Sequence, residues 1–277
     1  MKIAFAKSCS TRLRAPINPH DVTAVILSRN EERNLPRTLE SLPSGMPAIV
    51  IDHESQDSTA AIARTYGASV IVRPFDGFVN ARRFALAQVR TPWTLMIDAD
   101  EVLDSRLRDA IGAAPEDFDC YYLSRTTYYC AHAMRMWSGE RLLRMFRTDR
   151  AHLEAAPAAG GNAQLHERWV CDGAAGMLDG TLVHHSYPTH AAYREKFECY
   201  TTIEAAGVTA TRGRWISQLA KTPLRFLWFA LVRGAALDGW LGLRVAWWSA
   251  RYPAVVQWKA LKLSLIHISE PTRQAEI

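Results

Sequence analysis

Four consecutive residues, Asp98-Ala99-Asp100-Glu101, place three carboxylates directly after an apolar run from Trp93 to Ile97. Clustered carboxylates repel one another unless a cation or a cationic partner neutralises them. Hard oxygen donors favour magnesium or manganese, ions that also bind a diphosphate. The same acids can instead precede a helix and complement its dipole. Asp52 closes a second apolar run, Ala48 to Ile51. An acid there can accept hydrogen bonds from a ribose or a nucleobase, or cap the next helix. Arg82 and Arg83 fall early in a helical pattern. The guanidinium fork suits phosphate, and the alternative is a pair of solvated surface cations. Ser28 and Glu31 lie after a third apolar run. They are placed to contact a base, although Glu31 and Glu32 equally favour a helix start. Asp57 and Ser58 read as helix caps.

The elements that must position these residues follow from periodicity. Short β-branched runs predict strands at Val22–Leu27, Pro47–Ile51, Ala68–Val72 and Trp93–Ile97. Helical patterns fall between them: Leu35, Leu39 and Leu42 on one face, then Ser55–Tyr66, Phe78–Val89 and Leu103–Ile111. This alternation predicts an α/β fold with a parallel sheet covered on both faces. Ligands of such sheets bind outside the carboxyl ends of the strands, where Ser28, Asp52 and Asp98 stand. Beyond Ile111 the pattern predicts strands at Tyr121–Thr127, Leu142–Arg147 and Thr181–His185, a mobile loop at Ala155–Gly161 and a helix over His190–Thr211.

The 277 residues include 48% hydrophobic and 22% charged side chains, the balance of a globular chain with a real core. The net charge of +5 is uneven: from Arg212 to Lys262 nine lysines and arginines face Asp238 alone. Six tryptophans share that stretch. No uncharged run there approaches the roughly 18–20 residues of a spanning helix. An amphipathic segment lying on a membrane surface is expected, with a packed helical pair as the alternative. So many Trp and Leu residues fit lipid better than nucleic acid, so no nucleic-acid partner is expected. The five cysteines show no C-x-x-C spacing, which suits a reducing compartment. Met1–Ala6 is too short for a secretory apolar region, so the cytoplasm is expected. Leu263–Arg273 resembles the translation of a sequencing-library adapter, and residues 263–277 are set aside as a non-native tail. No glycine occurs before Gly45, which excludes a pyrophosphorylase phosphate loop, and no G-x-G-x-x-G follows the first strand.

The segments Val25–Leu35, Ile49–Thr59, Gly77–Leu86 and Asp98–Leu103 resemble glycosyltransferase family 2. They most resemble its lipopolysaccharide-core branch of β-1,4-glucosyltransferases. The likeness continues through Leu142–Arg147, Leu165–Glu167, Leu182–Tyr187 and Asp238–Leu243. It implies a GT-A-type mixed, mostly parallel sheet with helices on both faces, to which the composition adds a helical amphipathic C-terminal segment. It also implies a nucleoside-diphosphate sugar donor (a UDP-sugar is expected), a divalent metal, and inversion at the anomeric carbon. By the resemblance Asp52 binds the base, Arg82 the nucleotide, Asp98 the ribose and Asp100 the metal. Two positions depart from the family pattern. Asp52-His53-Glu54-Ser55 replaces the usual Asp-Asp/Ser-Gly-Ser turn, and Arg82-Arg83 replaces Lys-Asn or Arg-Asn.

Inversion requires a general base on the acceptor hydroxyl. Glu167 is favoured, with Glu140, Asp172 and His166 as rivals. His184 or His166 can complete a metal site through neutral imidazole. The expected organisation is an extension over 1–20, a GT-A domain over 21–211 and a membrane-associating segment over 212–262. The donor half of that domain covers about 21–118 and the acceptor half about 119–211. The expected acceptor is a lipid-linked saccharide at the inner membrane, of the lipopolysaccharide inner core. A catalytically idle nucleotide-sugar or glycan binding module is the alternative.

Overall fold

The computed structural model describes residues 15–155 and 167–269. They form two compact units. The first contains residues 15–128, 138–155 and 167–186; the second contains 129–137 and 187–269.

The first unit is built on β1 (Val22–Ser28), β2 (Ala48–Asp52), β3 (Ser69–Val72) and β4 (Trp93–Asp98). β1 pairs in parallel with β2 and β4, and β2 with β3. Next come β5 (Glu101–Leu103), β6 (Cys120–Tyr129), β7 (His132–Arg147) and β10 (Ala175–Tyr187), giving the order β3-β2-β1-β4-β7-β6-β10-β5. β4 runs antiparallel to β7, and β10 antiparallel to β5. The sheet is therefore mixed, as the family resemblance implies. A separate antiparallel pair joins β8 (Ala151–Ala155) to β9 (Glu167–Cys171).

Alternation along β1 sends Ala24 and Ile26 to one face and Val25 to the other, so both faces need cover. Ala24, Ile26, Leu95 and Ile97 pack with Leu35 and Leu39 of α1 (Leu35–Glu40), Ala63 of α2 (Thr59–Thr65) and Leu107 of α4 (Ser105–Gly112). Val25, Ile51 and Met96 pack with Ala85 of α3 (Phe78–Ala87) and with Leu153 and Trp169 of the β8–β9 pair. Truncating Ile26 or Leu95 to Ala at such sites costs about 2–5 kcal/mol.

Three expected helices begin or end elsewhere. The second starts at Thr59 rather than Ser55, because Ser55 donates to Asp52 and Asp57 accepts from Thr59. The fourth starts at Ser105 rather than Leu103. Leu103 instead pairs with Leu182 as the end of β5, and Asp104 caps α4 by accepting from the Leu107 amide at 2.7 Å. Gly180, at φ +102°, lets β10 pass so close to this cap that a side chain would meet the Leu107 amide. The helix from His190 ends at Ala206. Most of the loop expected at Ala155–Gly161 lies outside the described residues.

In the second unit, α5 (His190–Ala206), α6 (Arg212–Ala220) and α7 (Thr222–Leu227) lead into a π-helical turn over Trp228–Val232. A short 3-10 turn over Ala235–Asp238 then precedes the long α8 (Gly239–Ser269). Its core joins Tyr129, Met134 and Met136 to Tyr193, Val245 and Ala246. Leu224, Leu231, Val232, Leu237 and Trp240 are exposed. No single helix among the described residues is long and apolar enough to cross a membrane. The stretches Arg212–Val232 and Ala235–Ser264, bent by 70°, meet that test only as a pair.

Candidate functional site

The register of the parallel strands gathers the polar residues. Ser28 lies opposite Asp52, and Leu27 opposite Asp98, so the carboxyl ends of β1, β2 and β4 finish level. The Ser28 hydroxyl is buried without a hydrogen-bond partner. Asp52, also buried, accepts from the Ser55 amide at 3.2 Å and from the Ser55 hydroxyl. In the turn after β2, Glu54 has φ +54°, in the left-handed region that costs a side-chain-bearing residue about 1–2 kcal/mol. Asn30, at φ +55°, braces the same turn by accepting from the Gln56 amide at 2.8 Å.

Sequence reasoning passed over His53. Its ring is buried, meets Phe75 edge-on at 5.1 Å, and finds no hydrogen-bond partner for either nitrogen. Burial holds it below the ordinary imidazole range, outweighing the backbone groups of Arg73 and Pro74 that favour its charged form.

The acidic turn is held from several sides. Asp98 lies between Arg82 at 3.2 Å and Arg144 at 3.0 Å. Burial pushes its carboxyl up, but the two guanidiniums outweigh that and hold it well below the usual carboxylate range. Glu101, fully buried, bridges Arg144 at 2.9 Å and Arg125 at 3.2 Å, and its other oxygen accepts from the Asp98 amide at 2.9 Å. Thr38 of α1 donates to the Ala99 carbonyl at 2.7 Å, and the Ser41 hydroxyl accepts from the Leu103 amide. Glu101 is therefore the internal pin of the turn. Asp98 is partly exposed, and the buried Asp100 side chain faces His184 at 3.3 Å.

The arrangement separates several alternatives. Arg82 reaches the site, whereas Arg83 donates to the Leu153 carbonyl. Glu31 accepts from Asn34 at 2.7 Å, and its amide donates to the Thr59 hydroxyl, so it helps to start α1. Glu140 is bound by Arg125 at 2.6 Å, the same arginine that reaches Glu101. The Asp172 amide donates to the Arg150 carbonyl. Glu167 pairs through its backbone with Ala155; its side chain and all of His166 lie outside the described residues.

Arg144 and Arg125 were not singled out from sequence. The available signal was an arginine inside the otherwise apolar Leu143–Phe146 run, whose four residues are all buried.

Among the described residues no cluster of three His, Cys, Asp or Glu side chains forms a complete metal cage. Asp100 and His184 nevertheless fit a shared hard cation. The Thr127 hydroxyl lies 3.2 Å from His184 Nδ1 and can accept its proton, leaving Nε2 as a neutral donor on the Asp100 side.

The Glycosyl transferase family 2 model matches residues 23–170, more than half of the chain. The chain belongs to glycosyl transferase family 2. Two relatives support the assignment. An uncharacterized glycosyltransferase of Rickettsia typhi is 36% identical over 126 residues, covering 45% of this chain and 42% of that one. One of Mycobacterium tuberculosis is 39% identical over 84 residues, 30% of this chain and 38% of that one. The chain thus spans less than half the length of the curated relatives it matches. Among solved structures, the mannosyltransferase PcManGT from Pyrobaculum calidifontis, in complex with GDP-Man and Mn2+, aligns over 90% of this chain and 89% of that one. It is 14% identical with a TM-score of 0.47.

Proposed function

We propose that the chain is an inverting, metal-dependent hexosyltransferase using a UDP-sugar donor. Its acceptor is a lipid-linked saccharide of the lipopolysaccharide inner core, at the cytoplasmic face of the inner membrane. The observation that carries the reading is the convergence of Asp52, Asp98, Arg82 and the Asp100–His184 pair at the level ends of three parallel strands.

Asp52 accepts a hydrogen bond from the base, and Asp98 accepts from a ribose hydroxyl. Arg82 turns from Asp98 toward the diphosphate, with Arg144 retaining Asp98 as it moves. Asp100 and His184 hold the divalent ion, which when bound offsets the negative charge on the departing diphosphate. Glu167 takes the proton of the acceptor hydroxyl as that oxygen attacks the anomeric carbon from the face opposite the diphosphate. The buried, unpaired Ser28 hydroxyl supports a donor pocket at this edge.

The exposed Leu224, Leu231, Val232 and Trp240, set among arginines and lysines, support docking on an anionic bilayer. Loss of vesicle binding as the anionic lipid is replaced by zwitterionic lipid is the expected result.

Calorimetric titration of UDP, with manganese and with EDTA, tests the donor assignment. Wild type binds only with metal, and Asp100→Ala loses that dependence. A folded wild type that binds no UDP under either condition sinks it. Glu167→Gln keeps UDP binding and lowers kcat by roughly 10²–10⁴-fold; an unchanged kcat removes Glu167 as the base.

A further inference from the structure

The second unit contains a cavity of about 340 Å³. Small-molecule sites fall at roughly 300–1,000 Å³, whereas protein interiors otherwise leave few voids larger than a water molecule. Trp137, Tyr187, Tyr193, Phe197, Phe229 and Tyr252 form most of its wall, and no charged side chain lines it among the described residues.

Pro253 lies inside α8, four residues after Ser249, whose carbonyl a proline ring at that spacing crowds. Both residues line the cavity.

The wall discriminates between ligand classes. The Tyr193 hydroxyl is hydrogen-bonded to the Ser249 side chain, and the Tyr252 hydroxyl to Glu204. Two of the four lining tyrosine hydroxyls are thus satisfied within the protein. A saccharide would bury hydroxyls against rings with few partners to offer, whereas hydrocarbon loses nothing there. Phe229 belongs to the same π-helical turn as Leu231 and Val232, both 71% exposed, so the wall and the apolar surface share one short element. Two cations stand over lining rings: Lys196 lies 5.4 Å from the Tyr187 ring, and the Arg251 guanidinium 5.4 Å from the Phe197 ring.

We propose that this cavity takes the hydrocarbon chain of an anionic amphiphile, whose phosphate or carboxylate head meets Lys196 and Arg251. The site is independent of donor binding and stands whether or not the chain transfers a sugar.

The test is photolabelling of the full chain with palmitate carrying a mid-chain diazirine, mapped by peptide mass spectrometry. Expected is saturable one-to-one labelling between Tyr193 and Phe197 or between Ser249 and Pro253. Unlabelled palmitate or farnesyl phosphate competes it away, and the stronger competitor identifies the chain as acyl or isoprenoid. Ser249→Leu, which fills the cavity, lowers labelling at least tenfold, whereas Leu231→Ser on the surface leaves it intact. Should Ser249→Leu fail to fold, the wild-type map decides alone. Labelling confined to residues 224–232, labelling that never saturates, or indifference to both competitors overturns the proposal. UDP titration of the same sample separates this failure from failure of the donor assignment.

Discussion

The two units treat water in opposite ways. The sheet unit takes ionisable groups inside and matches them: Arg144, only 5% exposed, serves both Asp98 and Glu101. The helical unit leaves large apolar side chains outside, with Trp240 at 75% exposure. Buried ion pairs contribute little net stability but fix geometry, because losing one partner strands the other. Exposed apolar groups fix no geometry and instead mark a surface that another phase can cover. Stability and position should therefore be sensitive to charge in one unit and indifferent to apolar change on the surface of the other.

The sharpest way to break this contrast is Arg144→Met. It strips a cation from two carboxylates at once and should cost about 3–5 kcal/mol in urea denaturation. A loss below about 1 kcal/mol would mean that Arg125 and Arg82 already suffice. Acid comes next. Asp98 is depressed when folded, so its contribution is present above its ordinary value of 3.8 and is lost as pH falls through the lower folded one. His53 is depressed by burial, with the Arg73 and Pro74 backbone opposing. His185 is depressed by burial and then Arg37, with Asp100 opposing and His184 adding. Both imidazoles therefore stabilise the fold above 6.5 and withdraw that support below it. Melting temperature should be level from about pH 8 to 7, decline below the imidazole range, and fall again below about pH 4. His185→Gln should flatten the upper decline.

Smaller effects sharpen the comparison. Thr38→Val removes the donor to the buried Ala99 carbonyl and should cost about 1–3 kcal/mol. It should weaken nucleotide binding with it, since the carbonyl lies between Asp98 and Asp100. Glu54→Gly relieves a left-handed residue and should stabilise by about 1 kcal/mol, read as a higher denaturation midpoint at unchanged slope. Trp240→Ser should shift stability by no more than about 0.5 kcal/mol while reducing vesicle binding. A large loss of stability there would make Trp240 a packing residue and erase the contrast.

The parallel strands were legible because each is a short apolar run, and three of them end in a polar residue, Ser28, Asp52 or Asp98. Ser28, Asp52 and Asp98 were within reach for the same reason, and Arg82 through its place early in a helical pattern. The role of Glu101 was not: three adjacent acids look equivalent until the chain shows which one faces inward. Arg125 and Arg144 reach Glu101 from strands that periodicity does not pair with the acidic turn. Leu103 read as helical because its apolar neighbours suit either period, and only pairing with Leu182 made it a strand. The cavity depends on a proline in a helix and on rings from separate segments, a coincidence that no local pattern encodes.

The sheet order has a consequence for synthesis. Among the described residues β5 lies at the sheet edge with β10 as its one neighbour, and the His185 amide closes on the Asp100 carbonyl. On the ribosome Asp98 to Leu103 emerge long before Leu182 to His185. In that interval the acidic residues wait beside an unpaired edge, first without Arg125 and Arg144, then without His184. The acidic turn is thus the last part of the sheet to set. A nascent chain that stalls before Leu182 carries a nearly complete parallel core and an open β5 strand ready to pair with a neighbour.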